Sequence, residues 1–292
     1  MDIVRPLPSS YFPTGEPPYL PNTWNNSGAR VTATHNCYSY MLNDLHDVPR
    51  IHGKPQPGAW KSSHKIQNLI NSNKRLSCPQ VLNGVKSDNP KIKIIPLQKG
   101  LKYKCRPGFY KGFMMVSPGR DYHFARQDNK MIKIYRIIDK KYKDVFFSLA
   151  KNNQIEFILK LVEKHLPKIY DFATKIYSKK FQDKKHILRA VLKTAHTWSH
   201  KPGGTNAVDT DADKKLIFNP LKSNWNYSES GGINYSEMCC FFEIPSNFTA
   251  QTFSTGYNPL SKEKDNPNSL RQDLSKTATD QFYQQHILSL MK

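Results

Sequence analysis

The stretch HNCYSYMLND, residues 35–44, places a cysteine directly after Asn36 and begins an amphipathic segment. Apolar residues recur at helical spacing after it, so a helix is predicted over residues 36–46 with Asn36 as its N-cap. Cys37 then lies in the first turn, where the helix dipole and unpaired backbone N–H groups favour a thiolate and lower the pKa of the thiol. Cys37 is therefore either a small buried core residue or the nucleophile of an enzyme.

The composition indicates a folded and strongly basic protein. The 292 residues carry a net charge of +21, and 38% of them are hydrophobic, which is enough for a packed core. Such a charge favours polyanionic partners: nucleic acid, an anionic membrane surface or an acidic polymer. A lysine-rich coding bias explains the charge equally well.

The sequence predicts no transmembrane segment and no secretory signal. No apolar run approaches roughly 18 residues, and the N-terminus has neither a basic start nor an apolar stretch. Abundant lysine and asparagine suit a large DNA virus or an AT-rich microbe. The expected location is intracellular or within a virus particle, rather than classical secretion.

The five cysteines do not predict a disulfide framework or a metal site. They are few for the length of the chain and have no CxxC spacing, so a zinc site is poorly supported and no cofactor is expected. A reducing compartment is the simpler interpretation. The four cysteines other than Cys37 are expected to pack in the core: Cys78, Cys105, Cys239 and Cys240.

The pattern along the chain predicts a discontinuous α+β domain with additions. Residues 1–34 are rich in Pro, Asn, Ser and Thr and predict an irregular N-terminal arm on the domain surface. The domain itself comprises residues 35–129 and 195–250. Strands are predicted over residues 91–97, 108–117, 121–128 and 233–245, and a further helix over residues 61–73. In the third strand, Tyr122, Phe124 and Arg126 share one face, and His123 and Ala125 the other.

Two further regions are predicted to be helical. Residues 130–194 have apolar residues at the helical period, with helix boundaries near Pro167 and Asp183. They contain 17 Lys or Arg against 6 Asp or Glu, a net +11. Residues 251–292 form a polar C-terminal tail that ends in a short helix near residues 280–291.

Two histidines complete the chemistry that Cys37 would require. A cysteine nucleophile needs a base to accept its proton and a polar group to orient that base. His123 lies in a predicted strand, and His200 follows 77 residues later. Removing the helical region of 65 residues, 130–194, leaves 12, a spacing that suits two neighbouring strands of a hairpin with a helical insertion. Asp121 is the competing orienting group, but along a strand it lies roughly 6–7 Å from His123, so His200 is preferred.

At this point the motifs HNCYSYMLND, KPQPG, CRPGFYKG, DYHFARQD and WSHKPGG resemble a papain-like family related to the NlpC cell-wall peptidases and amidases. The resemblance covers roughly residues 30–128 and 197–245. It implies a helix carrying Cys37 packed on an antiparallel sheet, with Cys37 as nucleophile, His123 as base and His200 as orienting residue. The basic insertion, the arm and the tail depart from the compact family pattern, so cell-wall peptide cleavage is not carried over.

The resemblance implies hydrolysis of a peptide, amide or ester bond through an acyl-enzyme. The substrate would be a peptide or another amide or acyl compound. The backbone N–H of Cys37 would help to hold the oxyanion, supported by Asn36 and Tyr38, although an N-cap explains Asn36 equally well.

A catalytically inactive alternative belongs to another class. A basic binding or packaging protein, for example of a virus particle, would use the papain-like fold without catalysis and bind polyanions through residues 130–194. His123 would then be an ordinary strand histidine, and His200 would cap a turn. Most aromatic residues of the insertion fall on its apolar stripe, which indicates a core rather than a stacking surface.

Overall fold

The computed structural model describes residues 15–27, 31–45, 54–59, 76–177, 183–246 and 278–291, which form a mixed α+β structure around one antiparallel sheet. The strands are β1 (Lys93–Ile95), β2 (Phe109–Ser117), β3 (Asp121–Asn129), β4 (His196–His200) and β5 (Glu237–Pro245). Their order across the sheet is β1-β5-β2-β3-β4, and each neighbouring pair is antiparallel. The predicted α+β class and antiparallel sheet are confirmed.

The described residues also form α-helices. They are α1 (Pro21–Trp24), α2 (Val31–Thr34), α3 (Cys37–Met41), α4 (Cys78–Asp88), α5 (Leu97–Gly100), α6 (Met131–Ile137), α7 (Lys143–Ser148), α8 (Lys151–His165), α9 (Pro167–Tyr177), α10 (Lys184–Thr194) and α11 (Ala278–Leu290). A π-helical turn, Ile138–Tyr142, joins α6 to α7. Within the described ranges, no helix is long and apolar enough to cross a bilayer. The helix predicted over residues 61–73 lies outside those ranges.

Strand β3 separates two hydrophobic cores. Tyr122 and Phe124 pack in the core that contains Cys37, on the side of the sheet covered by α3 and α4. Ala125 packs on the opposite face, in a core with Trp198 and Trp225. The alternation predicted for this strand is therefore confirmed, and it directs His123 toward the second core.

The helix that begins at Cys37 is shorter than predicted. It spans Cys37–Met41 rather than residues 36–46, because the chain leaves the helical region at Asn43, whose φ is 53°. Arg126 holds this end by donating to the backbone oxygen of Tyr40 at 3.0 Å and to the Asn43 side chain at 2.6 Å. A five-residue helix has only about one turn of aligned peptide dipoles, so its effect on Cys37 is smaller than expected.

A helical excursion lies between the paired strands β3 and β4, in the region where the basic insertion was predicted. Helices α6 to α10 occupy it, with α9 starting at Pro167 and α10 capped by Asp183. Its core also includes Tyr283, Ile287 and Leu290 of α11. The predicted C-terminal helix is therefore part of the core of the insertion rather than of a separate tail.

The expectation that Cys78 and Cys239 are free thiols is corrected. Cys78 and Cys239 form a disulfide that joins the start of α4 to β5 across 161 residues of sequence, so neither is a free core thiol. The expectation of a reducing compartment was based on cysteines without disulfide bonds, and this bond removes that basis. In the described part of the N-terminal region, Trp24 is fully buried against Tyr40, at 4.8 Å between ring centroids.

Candidate active site

His123 and His200 meet across the two paired strands that flank the insertion. The register of β3 and β4 pairs Ala125 with His200, which makes His123 the diagonal neighbour of His200 on the same face. The Nε2 atom of His123 lies 2.8 Å from the Nδ1 atom of His200, and the rings are nearly perpendicular. The structure therefore brings together two of the predicted site residues.

The backbone around His200 determines where the protons of this pair lie. The Nε2 atom of His200 is 3.0 Å from the carbonyl oxygen of Thr210, which can only accept, so this nitrogen carries a proton. In a neutral His200, Nδ1 is then the acceptor for a proton on His123 Nε2. A neutral His123 protonated at Nε2 has an unprotonated Nδ1, which is the nitrogen that a general base requires.

Aromatic side chains isolate the two imidazoles from water. Tyr235 stacks on His123 with ring centroids 4.8 Å apart, and Trp225 lies 5.2 Å from the ring of His200. Burial lowers the pKa of His200 to about 4. Burial, followed by the charge of His200, lowers the pKa of His123 well below its usual value. Both imidazoles are consequently neutral at pH 7, as the proton arrangement above requires.

Cys37 begins α3 beside the backbone of β3. Its thiol lies 4.0 Å from the carbonyl oxygen of Tyr122 and, within the described chain, donates to this oxygen rather than to an imidazole. The backbone N–H groups of Phe124 and of Cys37 itself lower the pKa of the thiol. Both amides, one from the helix and one from the strand, therefore favour a negative charge on the sulfur.

The expected low pKa of Cys37 is not observed. Burial and then the carboxylate of Asp121 raise the pKa of the thiol to about 12, because both disfavour a negative charge. The two amides and the ammonium of Lys201 act in the opposite direction but do not offset the burial. Cys37 is therefore a thiol at pH 7, and its proton must be removed during a reaction rather than before it.

Asp121 does not orient His123. Its carboxylate accepts from the amide of Tyr122 at 2.8 Å and from the hydroxyl of Tyr235 at 3.2 Å. Burial raises the pKa of this carboxyl group. The hydrogen bond thus holds the ring of Tyr235 against His123, so Asp121 acts on the site only through that ring.

Asn36 and Tyr38, which the sequence suggested as support for an oxyanion, both make structural contacts instead. The side-chain oxygen of Asn36 accepts from the amides of Tyr38 and Ser39, at 3.1 and 3.3 Å, and its nitrogen donates to the backbone oxygen of Pro55. Asn36 is therefore the N-cap, and its oxygen is occupied. The hydroxyl of Tyr38 accepts from Asn89, so the side chain is directed into the core and away from an oxyanion.

A short loop covers the start of α3. Besides the Asn36–Pro55 bond at 2.6 Å, the hydroxyl of Tyr122 donates to Gln56, and the amide of Gly58 donates to Asp88 at 2.7 Å. These contacts bring the KPQPG motif beside Cys37, whose side chain is 4% exposed.

Sequence reasoning missed several groups of this site. The carbonyl of Thr210 and the amide of Phe124 carry no side-chain signal, because any residue supplies a backbone N–H and C=O. Tyr235 was predicted only as part of a strand. Lys201 had a usable signal, since it directly follows His200 in the motif WSHKPGG.

Comparisons of the chain with protein-family models, with curated proteins and with solved structures found no match. Within the described ranges, no group of three or more His, Cys, Asp or Glu side chains is arranged to hold a metal ion. The assignment of a function therefore depends on the geometry and on the motif resemblance.

Proposed function

We propose that this protein is a papain-like cysteine hydrolase that cleaves a peptide, amide or ester bond, with Cys37 as nucleophile, His123 as base and His200 as orienting residue. The observation that carries the proposal is the 2.8 Å contact between His123 Nε2 and His200 Nδ1. A neutral imidazole has one N–H donor and one acceptor nitrogen, and the contact with His200 occupies the Nε2 donor of His123 and leaves its Nδ1 as the acceptor. A histidine oriented by a second histidine, which is itself oriented by a backbone carbonyl, matches the chain of groups that activates a nucleophile.

The proton arrangement assigns each atom a step. As the Cys37 sulfur attacks the carbonyl carbon, its thiol leaves the carbonyl oxygen of Tyr122 and gives its proton to His123 Nδ1. The positive charge on His123 is stabilised by the acceptor Nδ1 of His200. The developing oxyanion is held by the backbone N–H groups of Cys37 and Phe124, both of which favour negative charge beside the sulfur. His123 Nδ1–H then protonates the leaving amine or alkoxide, which leaves a thioester on Cys37.

Hydrolysis of the thioester reverses these roles. His123 Nδ1 takes a proton from water, the hydroxide attacks the thioester carbonyl, and the acid product leaves as the Cys37 sulfur recovers the proton. The raised pKa of Cys37 makes the base essential. At pH 7 a thiol with a pKa of about 12 is almost entirely protonated, so attack must coincide with proton transfer to His123.

Cys240 provides a matched control for the test. It is 4% exposed, like Cys37, and burial raises its pKa to about 12 as well. Burial alone therefore predicts equal alkylation of the two cysteines. The proposed base predicts faster modification of Cys37, measured as the rate of carbamidomethylation at each cysteine by mass spectrometry at pH 7.

The variant His123→Ala separates base assistance from simple access. The expected result is that Cys37 reacts at least about 10²-fold faster than Cys240, and that His123→Ala removes most of this difference. Cys37→Ala should abolish turnover of any ester or peptide amide that the wild type hydrolyses. Equal rates at Cys37 and Cys240, unaffected by His123→Ala, would overturn the proposal.

A second candidate function is polyanion binding without catalysis, and the surface of the insertion favours it. Its described part exposes eleven cationic side chains: Lys133, Lys140, Lys141, Lys143, Lys151, Lys160, Lys164, Lys168, Lys175, Lys184 and Arg189. The exposed aromatic residues Phe147 and Phe282 lie beside this surface, with their ring centroids 5.9 Å apart. Binding of this kind does not require Cys37, so the alkylation experiment separates the two functions.

A further inference from the structure

Lys201 has an unusual environment for a lysine. Its side chain is completely buried, and its ammonium donates to four backbone carbonyl oxygens. These belong to Thr32 at 2.8 Å, His35 at 2.8 Å, Gly203 at 3.0 Å and Thr205 at 2.9 Å. Since an ammonium has three N–H donors, the four oxygens form a saturated cage around the charge.

The four carbonyls come from two segments that are distant in sequence. Thr32 and His35 precede Cys37 by two to five residues, whereas Gly203 and Thr205 follow His200 by three to five. One charged group therefore ties the entry to α3 to the turn that leaves β4. The relative position of these two segments sets the position of Cys37 with respect to the histidine pair.

The charge of Lys201 also acts on the sulfur. Its ammonium lowers the pKa of Cys37, and the Cys37 thiolate in turn raises that of Lys201. Burial, followed by the nearby charge of Lys54, lowers the pKa of Lys201 to about 8. Removal of a lysine from water is unfavourable, and the four charge-assisted hydrogen bonds offset this.

We propose that Lys201 is a positioning residue of the proposed site: its ammonium clamps the segment that leads into Cys37 to the turn that follows His200. This inference rests on the proposed function for its catalytic consequence, but the clamp itself is measurable without turnover. A clamp of this kind fixes the segment that leads into Cys37 relative to the turn that follows His200, so its removal affects the reaction more than the fold.

Lys111 is the matched control. It is also a buried lysine, 1% exposed, and burial lowers its pKa to about 8. Its ammonium donates to a single carbonyl, that of Leu101, at 3.0 Å. Both Lys201→Met and Lys111→Met remove a buried ammonium and retain most of the aliphatic chain, but only the first removes hydrogen bonds to the segments beside Cys37 and His200.

The experiment compares these variants by amide deuterium exchange and by the alkylation rate of Cys37. Lys201→Met should increase exchange in residues 31–37 and 201–208 and slow Cys37 alkylation by about 10- to 100-fold. Lys111→Met should alter neither. Lys201→Ala should respond to n-propylammonium, which replaces the missing atoms and charge, and should not respond to 1-propanol.

The possible outcomes separate the two proposals. If wild-type Cys37 reacts no faster than Cys240, the proposed function fails, and the clamp is still judged by exchange and amine rescue. If wild-type Cys37 is reactive but the two methionine variants behave alike, the clamp is overturned. Global unfolding of Lys201→Met and Lys201→Ala without recovery on n-propylammonium also overturns it, because Lys201 would then determine the whole fold and not one junction.

Discussion

The guanidinium of Arg126 forms a completely buried ion pair with the carboxylate of Asp128, at 2.8 Å between Nε and Oδ1. The same guanidinium binds the last turn of α3 through Tyr40 and Asn43 and lies over the ring of Tyr40 at 4.0 Å. Asp128 also accepts from Ser199, which joins β3 to β4 through their side chains. The network therefore fixes the rear of the Cys37 helix to these two strands.

Arg126→Met should lower the free energy of unfolding by about 3–5 kcal/mol, because it leaves the Asp128 carboxylate buried without its main partner. Denaturant unfolding measures this change. Lys215→Met is a suitable control, since Lys215 and its partner Asp213 are both exposed, so its effect should be smaller. A similar decrease of the unfolding free energy in both variants would contradict the prediction that burial of the ion pair makes its loss costly.

Substitutions of His200 test whether its acceptor nitrogen orients His123. His200→Ala should reduce the rate of Cys37 alkylation and of any hydrolysis by about 10- to 100-fold, whereas His123→Ala should reduce it by about 10²- to 10⁴-fold. The smaller effect is expected because water can partly replace an orienting acceptor. His200→Asn, which retains a side-chain acceptor oxygen, should keep more activity than His200→Ala. An equal reduction of these rates in both His200 variants would indicate that His200 acts through the packing of its ring and not through its hydrogen bond to His123.

The depressed pKa of His200 predicts a decrease of stability in acid. Its folded-state pKa is about 4, below the ordinary value of 6.5. Its stabilisation is therefore fully present above about pH 6.5 and is lost as the pH falls toward 4. The full difference corresponds to about 3 kcal/mol. Asp128 acts in the opposite direction, because its pKa is raised to about 6 and its protonated form is favoured in the fold.

The two contributions are separable with a variant. The difference in unfolding free energy between wild type and His200→Gln removes the Asp128 contribution, which both proteins share. As the pH is lowered from 7 to 4, the unfolding free energy of the wild type should decrease relative to that of His200→Gln. Chemical denaturation at several pH values measures it, and a difference that is independent of pH would contradict the buried, neutral His200.

The sequence predicted the secondary structure correctly where the spacing of apolar side chains follows the period of a strand or of a helix. The alternation in DYHFARQD located β3 and its two faces, and the spacing around residues 130–194 located the helical insertion, because apolar burial enforces both periods. The contact between His123 and His200 was predicted by subtracting the insertion from their separation in sequence, which left a spacing that suits two neighbouring strands. These inferences needed only local pattern and the antiparallel pairing of neighbouring strands.

Other features depended on contacts that have no local pattern. The end of α3 is set by Asn43 and by Arg126, which is 83 residues away, so the helical spacing continued past the true boundary. The Cys78–Cys239 pairing joins segments that no spacing connects. The pKa of Cys37 was misjudged because helix position was visible in the sequence and burial was not.

The disulfide between Cys78 and Cys239 should be detectable by thiol counting. Under denaturing conditions without reductant, three thiols should react, those of Cys37, Cys105 and Cys240, and five should react after reduction. Cys78→Ser or Cys239→Ser should lower the free energy of unfolding by about 2–5 kcal/mol, since the bond closes a long loop in the unfolded chain. Cys105→Ser, a half-buried free thiol, is the control. Five reactive thiols before reduction would contradict the bond.

The basic surface of the insertion should bind polyanions through a defined cluster of lysines. Lys133, Lys141 and Lys164 all add positive charge at His165, whose pKa is lowered by partial burial and then by these three groups. Their simultaneous replacement by Gln removes three charges without cutting the chain. Deleting the whole insertion is unsuitable, because it would expose the apolar face of α11 that packs on it.

The expected result is weaker retention on heparin or DNA and a lower salt dependence. Each lysine that no longer neutralises a phosphate should reduce the slope of log K against log salt by about 0.9 for duplex DNA. The control triple replacement of Lys86, Lys91 and Lys102 by Gln removes the same charge from exposed positions around the sheet. If affinity falls equally in both triple variants, net charge rather than the insertion governs binding, since a specific surface requires the decrease to follow the position of the lysines.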